Sequence, residues 1–117
     1  MNALKNVFVA LTLLPLAPVA AWAQASITGV VRDSSGAVLP GVTVEASSDV
    51  LIEKARTAMT DGTGTYRIVD LRAGTYVVTF SLVGFNTLKR EGIALTGTLN
   101  ASVNADLRKG SLVETVT

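Results

Sequence analysis

From Ile27 onward, apolar and polar residues alternate with a period of two, which is the pattern of half-buried strands. Residues 27–32 read as a first strand, and Asp33-Ser34-Ser35-Gly36 then predicts a tight turn, since Asp can bond back to the backbone and Gly tolerates positive φ. Pro40-Gly41 breaks the chain again before residues 42–46, where alternation is clean. A polar loop over 47–54 holds one apolar knot of Val50, Leu51 and Ile52. A short strand at 56–60 turns through Asp61-Gly62-Thr63-Gly64 into another at 65–69. The longest signal is 75–83, which places Tyr76, Val78, Phe80 and Leu82 on one face. Gly84-Phe85 interrupts it, a weaker strand follows over 86–95, and residues 99–107 alternate around Leu99, Ala101, Val103, Ala105 and Leu107. Seven short strands with turn signals about every ten residues predict an all-β chain folded as a single seven-stranded antiparallel β-sandwich. Its expected core is Val30, Val44, Tyr66, Ile68, Tyr76, Val78, Phe80 and Val103. No segment sustains a helical period, and there is no internal repeat.

The first 23 residues follow another rule. They carry one charge, Lys5, then an apolar run from Val7 to Leu14, two prolines, and Ala21-Trp22-Ala23. A short basic start, an apolar centre and a small-x-small end describe a secretory signal peptide over 1–23, cut between Ala23 and Gln24. Ala23-Gln24-Ala25 offers the same pattern two residues later, so a cut after Ala25 stays open. The run is short for a membrane span of about 20 residues, and no Cys follows it to carry a lipid anchor. Export is therefore the expectation.

Composition changes the picture mainly by exclusion. The 117 residues allow one domain, with 49% hydrophobic and 16% charged residues, no Cys and no His. Thiol and imidazole catalysis, Cys/His zinc sites, haem ligation by those residues and iron–sulfur clusters are thereby ruled out. Ten basic against nine acidic residues give +1, far from the basic excess of a nucleic-acid-binding face, so no nucleic-acid partner is expected. Removing the leader takes Lys5, Phe8 and the only Trp, and leaves Tyr66, Tyr76, Phe80 and Phe85 as the aromatic residues.

Candidate chemistry is sparse. Asp61-Gly62-Thr63-Gly64 lacks the second carboxylate and the bidentate Glu that a calcium loop of that type requires, so turn chemistry explains it. Acid–base catalysis would need carboxylates to converge from Asp33, Glu45, Asp61, Asp70 or Asp106, most of which stand in or beside turns. An isopeptide crosslink would draw on Asn100 or Asn104, but the first strand offers Arg32 and no Lys. The chain reads as a non-enzyme without metal or cofactor. For a glycan, Phe85 is the one aromatic expected to reach the surface, the others alternating as core positions.

Two stretches carry a family resemblance. Residues 29–44, with Gly29, Asp33, Gly36, Pro40 and Gly41, resemble the opening of carboxypeptidase regulatory-like domains; residues 60–78, with Asp61, Gly64, Tyr66, Gly74 and Tyr76, closing on Gly84-Phe85, resemble their second half. The order Val38-Leu39-Pro40-Gly41 departs from members that place Pro before Leu. The resemblance implies a transthyretin-like or immunoglobulin-like sandwich over 26–107. Behind a leader, it is most similar to the N-terminal extension of bacterial TonB-dependent outer-membrane receptors. That implies a non-catalytic periplasmic interaction or spacer domain, associated with the outer membrane, whose partners are a receptor plug and barrel or TonB, and a chain that is one part of a longer protein. Within the tail, 108–117, the run Val113, Glu114, Thr115, Val116 and Thr117 is similar to a TonB box, a segment that adds as a strand to its partner's sheet; an eighth edge strand or a frayed end reads the same residues equally well. A carbohydrate-binding module of starch-binding-like fold and a secreted scaffold without ligand are the alternative functions.

Overall fold

A computed structural model describes residues 24–117; the expected leader, with Ala21 and Ala23, lies outside the described residues. Among the described residues every regular element is a strand: β1 (Ala25–Asp33), β2 (Thr43–Ser47), β3 (Ala55–Met59), β4 (Thr65–Leu71), β5 (Gly74–Ser81), β6 (Thr87–Leu95), β7 (Asn100–Ser102), β8 (Ala105–Leu107) and β9 (Val113–Val116). The first six match the expected strands within a few residues. The expected strand at 99–107 is split into β7 and β8, and the tail adds β9.

Two sheets face each other. One orders β4-β1-β7, with β8 also paired to β1; the other orders β3-β2-β5-β6-β9. Hairpin-linked neighbours pair antiparallel, as β2 does with β3 and β5 with β6. Three pairings run parallel instead: β1 with β7, β1 with β8, and β6 with β9. All three join strands separated by long connections, which is the condition under which parallel neighbours arise.

Alternation delivers the core. Val44 and Ala46 of β2, Tyr66, Ile68 and Leu71 of β4, and Tyr76, Val78 and Phe80 of β5 are all buried, with Val103, Ala105 and Leu107 closing one side. Tyr66 and Phe80 meet edge to face, centroids 5.7 Å apart, the geometry that ring quadrupoles favour. One expected core position is corrected. Val30 is only half-buried, and β1 instead turns Ala25, Ile27, Gly29 and Val31 inward. Two adjacent valines and an intervening glycine leave the parity of that strand undetermined by pattern; its pairing with β4 at Ile27↔Ile68 and Gly29↔Tyr66 sets it.

The split of the last strand has a cause at Gly29. A Cβ on Gly29 would overlap the Val103 carbonyl and press on the Tyr66 ring. The space that a side chain would fill therefore holds backbone, and the Tyr66 hydroxyl donates to the Val103 oxygen at 2.5 Å. Around this point the ladder continues by other means. The Val103 amide donates to the Thr28 carbonyl at 2.8 Å, the Val30 amide donates to Asn104 Oδ1 at 2.9 Å, and Arg90 donates to the Asn104 carbonyl at 2.7 Å. Burial pushes the Tyr66 phenol far above its usual range, with nearby Arg90 acting in the opposite sense, so the ring remains a neutral donor.

Gly29→Ala is expected to lower unfolding free energy by about 1–3 kcal/mol through overpacking. Tyr66→Phe should cost about 1–3 kcal/mol by leaving the Val103 carbonyl unpaired. Because both act on one carbonyl, urea melts of the double variant should show less than the sum of the single losses; full additivity would mean that the two sites are independent.

Candidate functional site

The last strand of the larger sheet is the tail. In β9, Val113–Val116 runs parallel to β6 in the register Thr87↔Val113, Leu88↔Glu114, Lys89↔Thr115 and Arg90↔Val116. Its other backbone edge has no strand partner among the described residues. Leu112, Val113 and Val116 are exposed, at 70%, 62% and 48%, an unusual amount of apolar side chain for four to five consecutive residues of a small domain's rim. Strand edges of this kind are templates for a further strand.

The strand is held by a residue that pattern reading passed over. Asn86 is 8% exposed and, with Thr60, one of two buried polar residues among the described residues. Its Oδ1 accepts from the Leu112 amide at 2.9 Å, and its Nδ2 donates to Glu114 at 3.1 Å. Its own amide donates to the Arg108 carbonyl at 2.7 Å, while the Thr87 amide donates to Leu112 and the Gly110 amide to Gly84. Gly110, at φ 151, packs so closely that a Cβ would overlap Asn86 Oδ1. Arg108 stands 4.0 Å from Glu114 across the same turn. A single asparagine between two strands carries no periodic signal, so only its partners reveal it. Beside β9 a groove of about 480 Å³ runs along the opening between the sheets, lined by Asp33, Leu88, Asp106, Arg108, Glu114 and Val116 among others.

Val113, Glu114, Thr115 and Val116 thus lie together in β9, with Thr117 following as the exposed last residue. Phe85 is not a free platform: it is half-buried against the core, with its amide donating to the Leu82 carbonyl and an isolated bridge to Lys109. Tyr66, Tyr76 and Phe80 are buried, so among the described residues no aromatic ring is fully exposed. Gln24 is exposed immediately before β1.

Two carboxylates, Asp33 and Asp61, serve the turns. Asp33 Oδ1 accepts from the Ser35 amide at 2.8 Å, the Ser35 hydroxyl at 2.6 Å and the Ala37 amide at 3.1 Å. Asp61 Oδ1 repeats the arrangement with the Thr63 amide at 2.9 Å, the Thr63 hydroxyl at 2.7 Å and the Thr65 amide at 3.1 Å. The hydroxyl of Ser35 or Thr63, followed by the amides, holds each carboxyl below its usual range. Asn100 and Asn104, the residues weighed for a crosslink, instead bind β1, through Ser26 and Val30. Among the described residues no three acidic side chains cluster to hold a metal.

The profile of the carboxypeptidase regulatory-like domain matches residues 26–108. The chain belongs to that family. No curated protein matches the sequence. Among solved structures, the domain resembles part of the Bacillus anthracis TIE protein (TM-score 0.60, 17% identity, 74% of this chain and 17% of that one). It also resembles a chain of a type II cohesin–X-dockerin complex from Acetivibrio cellulolyticus (TM-score 0.58, 21% identity, 75% and 60%). A third likeness is to catechol 1,2-dioxygenase of Acinetobacter radioresistens (TM-score 0.55, 14% identity, 78% and 53%). The chain spans less than two thirds of each. These likenesses show the sandwich and nothing finer, since a dioxygenase and a cohesin–X-dockerin complex share it.

Two outcomes follow from this regulatory-like domain's turns and tail. The depressed Asp33 and Asp61 carboxyls contribute stability that is fully present above the unfolded value of about 3.9 and is lost as pH falls through their lower folded values. Urea midpoints should therefore drop as pH is lowered below about 4, with a flatter dependence in Asp33→Asn/Asp61→Asn; identical slopes would show that the turns do not titrate with folding. In Asn86→Ala, hydrogen exchange should speed up most at the β9 amides, while β2 and β5 keep their protection; uniform loss would mean that β9 is not separately clasped.

Proposed function

We propose that this domain is an exported, non-catalytic docking and spacer module at the front of a TonB-dependent outer-membrane receptor, the plug and barrel belonging to a longer protein. One observation carries the docking part: β9 is an edge strand with exposed Val113 and Val116 whose second backbone edge has no strand partner among the described residues. A partner strand gains main-chain hydrogen bonds there, and Val113, Glu114, Thr115 and Val116 supply alternating side chains for selection. The groove beside β9 adds charged groups of both signs, Asp106 and Glu114 against Arg108, at the rim. Export rests on the leader pattern of residues 1–23, and the receptor context rests on the family resemblance together with that leader. A spacer role fits a sandwich in which Asp33 and Asp61 are occupied in turns and Tyr66, Tyr76 and Phe80 are buried.

For the glycan alternative, no aromatic ring among the described residues stands as an exposed stacking surface, since Phe85 packs against the core. A pull-down with the C-terminal domain of TonB tests the main reading. Binding should be retained by the full chain and lost on deleting Val113 to Thr117. Binding unchanged by the deletion would remove the tail from the mechanism. Retardation in a polysaccharide affinity gel, relieved by Phe85→Ala, would favour the glycan module instead.

A further inference from the structure

The outer face of the larger sheet carries a pattern that is symmetric about its middle strand, β5. Alternation turns Val44, Ala46, Tyr76, Val78 and Phe80 into the core, so the residues between them face outward. Backbone register then fixes which side chains stand beside one another. One row crosses all five strands as Thr57, Glu45, Thr79, Lys89 and Thr115. The next row is Met59, Thr43, Ser81, Thr87 and Val113, with Thr43, Ser81 and Thr87 lining a shallow depression of about 370 Å³. Apolar Met59 and Val113, 65% and 62% exposed, close the two ends of that second row. The only charges in the two rows are Glu45 and Lys89, one on either side of Thr79. Neither belongs to an ion pair among the described residues, where the pairs are Arg56–Glu53 and Arg108–Glu114.

A face with this pattern is complementary to itself. A twofold axis laid along β5 sets β2 over β6, and β3 over β9, of a second copy. Glu45 then meets the partner's Lys89, and Lys89 the partner's Glu45. Met59 meets the partner's Val113, Thr57 the partner's Thr115 and Thr43 the partner's Thr87, while Thr79 and Ser81 lie on the axis against their own counterparts. Every meeting is apolar on apolar, hydroxyl on hydroxyl or acid on base, and no like charges face each other. Twofold interfaces between identical copies have this reciprocal character, and stacked sheets keep their strands within about 30° of each other. We infer that the outer face of the larger sheet is a docking surface for a second copy of this chain, held in register by two Glu45–Lys89 pairs. Five strands at about 4.8 Å and five residues at about 3.4 Å give roughly 300–400 Å² of face per copy. That is below the about 800 Å² per partner of a standard interface. The dimer is therefore weak and concentration-dependent, its charges setting register more than affinity. It uses side chains of β9 and not the outer backbone edge of that strand, so the inference stands apart from the receptor reading.

Sedimentation equilibrium of the full chain over a rising concentration series tests this. The average mass is expected to climb from that of one copy toward that of two. Glu45→Lys and Lys89→Glu each set like charges across the axis, and each should weaken association at least about tenfold. The double variant restores opposite charges at both crossings and should return association to within about threefold of the original. Rescue separates a lost contact from a lost fold, since a second reversal does not refold a sheet that the first has unfolded. A mass of one copy at every concentration would overturn the inference. So would a double variant that associates no better than the single ones. A dimer indifferent to both single reversals would also overturn it, and would mean that the copies pair elsewhere, as edge to edge through β9.

Discussion

The absence of a side chain at Gly29 is the constraint on which the smaller sheet depends. The Val103 carbonyl occupies the volume that a Cβ would take, and the buried Tyr66 hydroxyl satisfies it. From that one approach follow the break between β7 and β8, the substitution of Asn104 for a ladder partner of Val30, and the reach of Arg90 from the opposite sheet to the Asn104 carbonyl. A buried polar network of this kind is favourable only when each member is paired. Here no buried side-chain nitrogen or oxygen lacks a partner among the described residues. The same contacts tie β4, β1, β8 and β6 together, so the end of the sandwich that carries the tail is braced from both sheets.

That brace gives the tail a rigid base. β6 is held on one side by β5 and reached from behind by the Arg90–Asn104 contact. Asn86, at the start of β6, then fixes the turn that delivers β9. The resulting edge is ordered without being covered. Ordering a strand before a partner arrives lowers the conformational entropy lost on binding, which is the physical advantage of a docking edge over a loose tail.

Much of this was legible in the sequence, for identifiable reasons. Period-two alternation located the strands, because each strand has one buried face. The two Asp-led turns were legible because the Asp-x-Ser/Thr-Gly spacing makes the same set of bonds at Asp33 and at Asp61. The parity of β1 was not, since Val30 and Val31 are equally apolar and only pairing with β4 selects between them. The break at Val103–Asn104 was hidden because an alternating run looks continuous even where a side chain replaces a ladder bond. Asn86 was hidden because a polar clasp depends on partners more than twenty residues away. For the tail, the sequence supported a docking segment and an edge strand equally, and the fold makes β9 an edge strand with no strand on its outer side among the described residues.

The central claim, that this regulatory-like domain works through the β6–β9 edge, is tested most directly by NMR. Isotope-labelled domain is titrated with the unlabelled C-terminal domain of TonB, and amide shifts are followed residue by residue. The account predicts perturbations concentrated at Val113 to Val116 and their neighbours Thr87 to Arg90. Perturbations centred instead on β3, or spread across the outer face of the larger sheet with β9 silent, would contradict it.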